Sequence, residues 1–292
     1  MPVNQATRES TAESIAEKAP SSTGVEWDRV AQGYDRTNTP TQMWLGEIGL
    51  QRAQLRPGMR FLDVAAGSGA LSIPAARMGA QVLATDQSPL MLQLLAARAE
   101  QERLSIETRV MDGHALEVND NAVDIAGSQF GVMLFPDMRK GIAELVRVVA
   151  PGGRVLMTVY GDPHQIDFLD YFVRAVGTVR PGFTGPPSDP PPLPFQLQDP
   201  LKLRAELMGA GLHEVTVETI VEKTPFQSGK QLWDWIRWSN PLVESILRDL
   251  AISDEEARSI ECALDMLIRE RANGTDAAVL SNPINIGVGT KR

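Results

Sequence analysis

The segment from residue 61 to residue 69, FLDVAAGSG, constrains the fold of this chain more than any other part of the sequence. An apolar run ends in Asp63, a loop of small residues follows, and residues 70–78 favour a helix. This order predicts a buried strand, a tight turn and a helix N-terminus. A second apolar run, residues 81–85, ends in Asp86. Two acids at the carboxyl ends of neighbouring strands, with a glycine turn between them, predict a nucleoside-binding edge.

The glycines of this turn distinguish between two classes of nucleoside site. Gly67 and Gly69 permit a close ligand approach and backbone conformations that a Cβ would block. A dinucleotide site has the pattern G-x-G-x-x-G, but its third glycine position is occupied here by Ser72. Asp63 would also repel a pyrophosphate, whereas it would attract a ligand with an ammonium or sulfonium group. The pattern therefore disfavours a nicotinamide dehydrogenase.

Four blocks in sequence order resemble the class I S-adenosylmethionine-dependent methyltransferases, especially the branch that methylates precursors of ubiquinone and menaquinone. They are LDVAAGSG (62–69), ATDQSPLML (84–92), VMDGHAL (110–116), and a last block made of VDI through QFG (123–131) with LVRVVAPGG (145–153). The resemblance covers residues 27–160 well and the remainder weakly. It implies S-adenosyl-L-methionine as the cofactor.

The predicted fold class is α/β, with a Rossmann-like sheet, helices on both faces and helical cap insertions. Five strands alternate with helices, which indicates a parallel sheet. The resemblance implies seven strands in all, the last of them antiparallel. The strands are expected at about 59–65, 81–86, 105–111, 122–130, 153–160, 213–224 and 285–289, with inserted helices at 229–273 between the last two.

The expected domain organisation is a mobile N-terminal tail, residues 1–25, followed by one methyltransferase domain, residues 26–292. The tail holds few bulky apolar residues and one short predicted helix, residues 11–18. Within the domain, we expect a nucleotide-binding core at 56–160. The substrate cap is expected to combine residues 26–55, 161–200 and 228–275, and it includes a proline-rich loop.

The resemblance implies individual roles in cofactor binding. Asp86 would hold the ribose hydroxyls, Asp112 would face the adenine amino group, and Tyr34 would pack near the methionine part. Alone, each block also has an ordinary structural interpretation, such as a turn or a helix cap, for which Ser88 is suited. No metal site is expected. The predicted cofactor-binding residues are Tyr34, Asp63, Ala65, Gly67, Ser68, Gly69, Asp86, Gln87, Met91, Asp112, Gly113, His114 and Gln129.

The reaction predicted is in-line transfer of the methyl group to an O, N or C atom of a small, aromatic or lipophilic acceptor. A sulfonium methyl group is already activated, so alignment and exclusion of water suffice. His164 and Tyr34 are candidate catalytic residues, although a solvated histidine and a core tyrosine are the ordinary alternatives. A non-methylating lyase or cyclase and a binding protein with a vestigial site also stay open. The predicted substrate-binding residues are Trp44, Phe130, Met133, Tyr160, Trp233 and Trp238.

The net charge and the distribution of apolar residues limit the classes of partner that this chain is expected to bind. The 292-residue chain has a net charge of −9 and an isoelectric point near 5.0, which disfavours nucleic acid as a partner. No apolar run of about twenty residues predicts a membrane span, and no apolar segment predicts a secretory signal. We therefore expect a cytoplasmic protein, with a homodimer possible. The single cysteine, Cys262, is expected to be packed inside a helix.

Overall fold

The computed structural model describes residues 24–185 and 190–292. The predicted helix at 11–18, nearly all of the predicted tail and residues 186–189 of the proline-rich loop lie outside the described residues. The division into tail, core and cap stays a prediction.

The described strands form one seven-stranded sheet in the order β3-β2-β1-β4-β5-β7-β6. Strands β1 to β5 pair in parallel, and β7 runs antiparallel to both of its neighbours. The predicted fold class and the antiparallel last strand are thus confirmed. The strands are β1 (Arg60–Val64), β2 (Gln81–Asp86), β3 (Ile106–Val110), β4 (Val123–Gln129), β5 (Val149–Tyr160), β6 (Leu212–Phe226) and β7 (Ala278–Lys291).

The centre of the sheet is apolar on both faces, as a parallel sheet covered by helices requires. Strand β1 buries four of its five residues, and β4 buries six of its seven. Strand β5 begins earlier than expected, because Val149 already pairs with Val123. The Pro151–Gly153 segment forms an irregularity within this longer strand. The pairing register shifts there, and Gly152 adopts a φ of 81°.

Side-chain caps fix several helix starts. Ser88 accepts a hydrogen bond from the Met91 amide, as predicted, and Ser253 forms a reciprocal capping box with Glu256. The described helices are α1 (Gly24–Thr37), α2 (Thr39–Arg52), α3 (Ser72–Arg77), α4 (Pro89–Gln101), α5 (Met138–Val148), α6 (Asp167–Gly177), α7 (Pro200–Gly209), α8 (Gly229–Ser239), α9 (Pro241–Asp249) and α10 (Asp254–Ala272).

The helices inserted between β6 and β7 build a second apolar core, here called the cap cluster. Buried side chains of α6, α8 and α10 pack together there against the ends of β6 and β7. The inserted helices lie where they were predicted. Cys262 corrects one expectation, because it lies on α10 but is exposed rather than packed. None of the helices in the described ranges is long and apolar enough to cross a membrane.

Candidate cofactor and acceptor site

The turn after β1 and the end of β2 are tied together by Asp86. One carboxylate oxygen of Asp86 accepts a hydrogen bond from the Gly67 amide at 2.8 Å, and the other accepts one from the Ser88 amide at 2.9 Å. Burial raises the pKa of Asp86, while the backbone hydrogen bonds counteract that rise. Each carboxylate oxygen has a further lone pair, so Asp86 can still accept a hydrogen bond from a ligand.

Two non-glycine residues beside this turn have left-handed backbone conformations. Ala65, after β1, has a φ of 57°, and Phe130, after β4, has a φ of 59°. The two loops touch, because a Cβ added to Gly131 would lie 2.4 Å from the Ala65 Cβ. Such conformations are costly and cluster at binding sites, where the surrounding structure imposes them.

Asp63 lies beneath the glycine turn rather than at its surface. It is 1% exposed, and Ser72 donates a hydrogen bond to one of its carboxylate oxygens at 2.6 Å. The other oxygen is buried with no partner. Burial raises the pKa of Asp63 to about 7, against the lowering effect of the Ser72 hydrogen bond. A positively charged ligand group nearby would stabilise the ionised form.

The loop after β3 presents a hydrogen-bonded acid. Oδ1 of Asp112 accepts hydrogen bonds from the His114 amide and from Gln87 Nε2, at 2.9 and 3.0 Å, and lies 2.8 Å from His114 Nδ1. Burial alone would raise the pKa of Asp112, but the hydrogen bonds outweigh it and the pKa is lowered. The imidazole of His114 lies against the Phe135 ring, with 4.5 Å between centroids.

A cavity of about 280 Å³, here called the cofactor cavity, opens along this edge of the sheet. The structure brings ten of the predicted cofactor residues to its wall. They are Tyr34, Ala65, Gly67, Asp86, Gln87, Met91, Asp112, Gly113, His114 and Gln129. Sequence reasoning missed Trp27, Met111, Phe130, Gly131, Leu134, Phe135 and Pro136 as parts of this wall.

Three predicted cofactor residues do not line the cavity. Asp63 is buried below the turn, Ser68 hydrogen-bonds Thr39 Oγ1 at 2.5 Å, and Gly69 packs toward Leu95 and Ile73. A Cβ at Gly69 would lie 3.0 Å from Leu95 Cγ. Ser68 and Gly69 thus shape the turn from behind, whereas Asp63 lies beneath it with one unpaired carboxylate oxygen.

A smaller cavity of about 90 Å³, here called the acceptor cavity, adjoins the first. Four residues belong to both walls: Trp27, Tyr34, Phe130 and Leu134. Most of the acceptor cavity is apolar and aromatic. The residues that line the acceptor cavity and not the cofactor cavity are Gln42, Met133, Tyr160, Phe168, Leu169, Phe172, Pro194, Phe195, Ile236, Ser239, Asn240, Leu242, Val243 and Ile246.

Of the predicted substrate residues, Phe130, Met133 and Tyr160 line the acceptor cavity, whereas the three tryptophans do not. Trp44 packs against the sheet core, and Trp233 is 4% exposed within the cap cluster. Trp238 stacks beside Gly33 and beneath the Arg237 guanidinium.

His164 lies at a different cavity. It is exposed on the turn after β5, and that cavity is formed by the turn, α6 and the proline-rich segment. Two side chains, Leu169 and Phe195, separate the cavity from the acceptor cavity and contribute to both walls. The structure therefore does not bring His164 to the junction between the cofactor and acceptor cavities.

Tyr34 stands at that junction. Its ring lies over the turn, 3.9 Å from the position of a Cβ added to Gly67, and its hydroxyl donates a hydrogen bond to Gln42 Oε1 at 2.9 Å. Burial and the neighbouring Asp86, Glu222 and Asp63 raise the pKa of Tyr34 well above its usual value. Tyr34 is therefore a neutral hydrogen-bond donor and a poor proton acceptor.

Comparison with known proteins places this arrangement in a family. Residues 62–157 match a family model described as a methyltransferase domain. A demethylmenaquinone methyltransferase of Renibacterium salmoninarum is 30% identical over 181 residues, which cover 59% of this chain and 74% of that protein. The chain belongs to the class I S-adenosylmethionine-dependent methyltransferases.

Other relatives of this methyltransferase family member match over less of their length. An uncharacterized protein of Mycobacterium bovis is 39% identical over 148 residues, or 51% of this chain and 52% of that protein. The chain therefore spans about half the length of the first curated relatives that it matches.

Solved structures agree on the fold alone. The YcgJ protein of Bacillus subtilis has a TM-score of 0.54 at 19% identity, covering 84% of this chain and 97% of its own. A phosphoethanolamine N-methyltransferase of Haemonchus contortus, solved with S-adenosylhomocysteine, has a TM-score of 0.52 at 18% identity, covering 90% and 60%.

The residues present fit the cofactor of this methyltransferase family. Asp86 offers acceptor lone pairs for ribose hydroxyls, and the unpaired buried oxygen of Asp63 suits a nearby ammonium group. Gly67, with a φ of 53°, keeps the wall free of a side chain. Met91, Met111 and Phe135 give apolar side chains to the same cavity wall as Asp112, which suits a purine ring.

Proposed function

We propose that this chain transfers the methyl group of S-adenosyl-L-methionine to an oxygen, nitrogen or carbon atom of a small aromatic or lipophilic acceptor, by in-line displacement. The supporting observation is the wall shared by the cofactor and acceptor cavities, formed by Trp27, Tyr34, Phe130 and Leu134. Because the two cavities adjoin there, a cofactor in one and an acceptor in the other would meet in a largely apolar space.

The proposed reaction requires little of the protein beyond positioning the two reactants. S-adenosylmethionine supplies, when bound, a methyl group activated by the sulfonium charge. The chain's own residues orient the reactants and exclude water, which together are worth several kcal/mol, about 7–11 in well-ordered cases. Tyr34 borders the junction as a neutral polar group, and the aromatic rings of Trp27 and Phe130 lie beside it in the same wall. The proposed reaction does not use His164.

The lining supports an acceptor that is not anionic. No lysine or arginine is among the described residues that line the cofactor cavity or the acceptor cavity. An acceptor with a phosphate or carboxylate group would therefore lose its hydration without gaining a charge partner. The aromatic rings instead suit a flat or lipophilic molecule, neutral or cationic.

The substrate cap is proposed to combine residues 26–55 with segments from 161–200 and 228–275. The acceptor cavity supports this, since its wall draws on α1, α2, α6, α8 and α9. At about 90 Å³ the cavity is smaller than the roughly 150 Å³ cavity known to admit benzene, so an aromatic acceptor requires the cap to open slightly.

Calorimetric titration tests the proposed cofactor, and a screen for labelled methyl incorporation tests the reaction. We expect S-adenosylmethionine and S-adenosylhomocysteine to bind, NAD not to bind, and label to pass to at least one phenol, amine or quinone. Asp86→Ala should weaken binding of both adenosyl ligands and thereby reduce transfer. Binding of NAD in place of the two adenosyl ligands would overturn the cofactor assignment. Tight adenosyl binding with no transfer to any acceptor class would favour the non-methylating alternative.

A further inference from the structure

Gln42, on α2, places a buried amide side chain in the wall of the acceptor cavity. The residue is 3% exposed, and most of its neighbours in that wall are apolar or aromatic. Burying an amide in such surroundings costs free energy unless its polar atoms find hydrogen-bond partners. The partners of each polar atom of Gln42 therefore indicate what this residue does in the site.

The side-chain oxygen of Gln42 is bound within the protein. The Tyr34 hydroxyl donates a hydrogen bond to Gln42 Oε1 at 2.9 Å. Because the raised pKa of Tyr34 keeps this hydroxyl protonated, it stays a donor at neutral pH. An amide group is planar, so an amide whose oxygen faces one neighbour turns its nitrogen away from that neighbour. The Tyr34 hydroxyl thereby orients the side chain of Gln42.

The side-chain nitrogen of Gln42 has no hydrogen-bond partner among the described residues. It is also not one of the unpaired side-chain atoms that the described residues enclose completely, so it is in contact with the cavity that Gln42 lines. An amide nitrogen donates two hydrogen bonds and accepts none. Since buried polar groups are seldom left unpaired, water or a ligand in the acceptor cavity is the expected partner of Nε2.

The position of Gln42 relates the acceptor cavity to the cofactor cavity. Its main-chain oxygen accepts a hydrogen bond at 3.0 Å from Nε2 of Gln129, which lines the cofactor cavity. Its side-chain oxygen is bound to Tyr34, which lines both cavities. The donor at Gln42 Nε2 therefore lies near the junction, where the proposed function brings the transferred methyl group.

We propose that Gln42 recognises the acceptor by donating a hydrogen bond from Nε2 to an oxygen atom of the acceptor, close to the atom that is methylated. The inference rests on the proposed function and narrows its substrate class to aromatic or lipophilic molecules that carry a carbonyl or phenolic oxygen. A hydrocarbon of the same shape would displace water and leave the Gln42 donor unpaired, which costs binding affinity. Tyr34 contributes to this recognition by orienting the Gln42 amide.

Acetophenone and α-methylstyrene form a matched pair of probes, because a carbonyl oxygen in the first is a CH₂ group in the second. Ligand-observed NMR titration of protein saturated with S-adenosylhomocysteine gives the two dissociation constants. Their ratio measures the preference for the oxygen. Gln42→Met, which keeps the length of the side chain but has no donor, should lower this preference about tenfold and leave α-methylstyrene binding unchanged. Gln51→Met is the control, because Gln51 lies on the same helix but is exposed and lines neither cavity.

A second measurement uses the wild-type protein and does not depend on the folding of a variant. The side-chain amide protons of Gln42, observed by proton–nitrogen correlation NMR, should shift downfield when acetophenone is added to the complex with S-adenosylhomocysteine. The addition of α-methylstyrene should not produce this shift, because a CH₂ group does not accept a hydrogen bond from Nε2.

The outcomes separate this inference from the proposed function. If S-adenosylhomocysteine fails to saturate the protein, both fail. If it saturates the protein, but neither probe binds or the amide protons of Gln42 respond equally to both, the inference is overturned and the proposed function is untouched. A preference that is unchanged in a folded Gln42→Met variant, or that is lost equally in Gln51→Met, would also overturn it. Thermal unfolding of each variant with S-adenosylhomocysteine bound establishes that it is folded.

Discussion

Asp86 is the residue on which cofactor recognition most depends. Its two oxygens already fix the Gly67 turn and the start of α4, so its loss removes a charged acceptor and loosens the loop at once. Asp86→Ala should weaken S-adenosylhomocysteine binding by about 1.5–3 kcal/mol. Calorimetric titration measures this. Asp124→Ala is the control, since Asp124 pairs with Arg60 at the opposite end of the sheet and should bind normally. Equal affinity of Asp86→Ala and the wild type would contradict the ribose-binding role.

The raised pKa of Asp63 predicts that cofactor binding is coupled to the release of a proton. Its pKa is raised to about 7 in the protein alone, so it is partly protonated near neutral pH. A ligand ammonium nearby favours the carboxylate and lowers that pKa, so binding should release a proton and tighten as the pH rises through about 6 to 8. Calorimetry in buffers of different ionisation enthalpy detects the release. Asp63→Asn should abolish it, and a wild-type protein that takes up a proton on binding would refute this role.

The ionisation of Glu222 should make the stability of the ligand-free protein depend on pH. Its folded-state pKa of about 7 lies above the ordinary value of 4.5, so the stability it contributes is complete below about pH 4.5. That stability is lost as the pH rises through the folded pKa. Between about pH 5 and pH 8 the wild type should therefore lose more unfolding free energy than Glu222→Gln, by on the order of 1–3 kcal/mol. Urea unfolding at the two pH values tests this; parallel losses would be inconsistent with an uncompensated buried acid.

The junction between α1 and α2 connects the cofactor turn to the cap. Thr39 Oγ1 bonds Ser68 Oγ in the turn, Asn38 Nδ2 donates to the Trp235 carbonyl on α8 at 3.2 Å, and Trp235 Nε1 donates to Thr41 Oγ1 at 3.2 Å. Residues 38–41 therefore contact both the cofactor turn and α8, the inserted helix that contributes to the wall of the acceptor cavity.

Thr39→Val should therefore affect both stability and cofactor binding. It leaves the buried Ser68 hydroxyl without its partner, at a cost of about 1–3 kcal/mol in unfolding free energy, and should weaken S-adenosylhomocysteine binding as the turn relaxes. Thermal unfolding and calorimetry give the two values. Thr178→Val, whose hydroxyl bonds only within the end of α6, is the control. Destabilisation without any change in affinity would show that the segment between α1 and α2 supports the fold but not the conformation of the cofactor turn.

Local patterns sufficed to predict most elements. The apolar run that ends in Asp63 has the pattern of a buried strand, and the cap at Ser88 forms through a contact within three residues. The early start of β5 was not predicted, because Pro151 and Gly152 are typical of a turn. The pairing of Val149 with Val123 joins residues far apart in the sequence, which a local pattern does not reveal. The exposed Cys262 was missed because helical periodicity does not reveal which neighbours cover a helix.

At the scale of the whole molecule, the two halves of the site differ in how far the sequence predicts them. The cofactor cavity is built mostly from turns that directly follow β1, β2, β3 and β4, so a motif and a strand order suffice to place its residues. The acceptor cavity draws on α1, α2, α6, α8 and α9, which meet only through tertiary packing. Tryptophan content therefore misled, since Trp44 and Trp233 pack in the two cores and Trp238 packs beside Gly33, while Phe168, Phe172 and Phe195 line the cavity.

The central claim is that the adenosyl nucleoside of the cofactor lies across the carboxyl ends of β1, β2 and β3. A crystal structure of the protein with S-adenosylhomocysteine tests it most directly. The account predicts ribose hydroxyls within hydrogen-bond distance of Asp86, the purine beside Asp112 and His114, and the sulfur facing the wall of Tyr34 and Phe130. Ligand bound elsewhere, or a ribose without contact to Asp86, would contradict it.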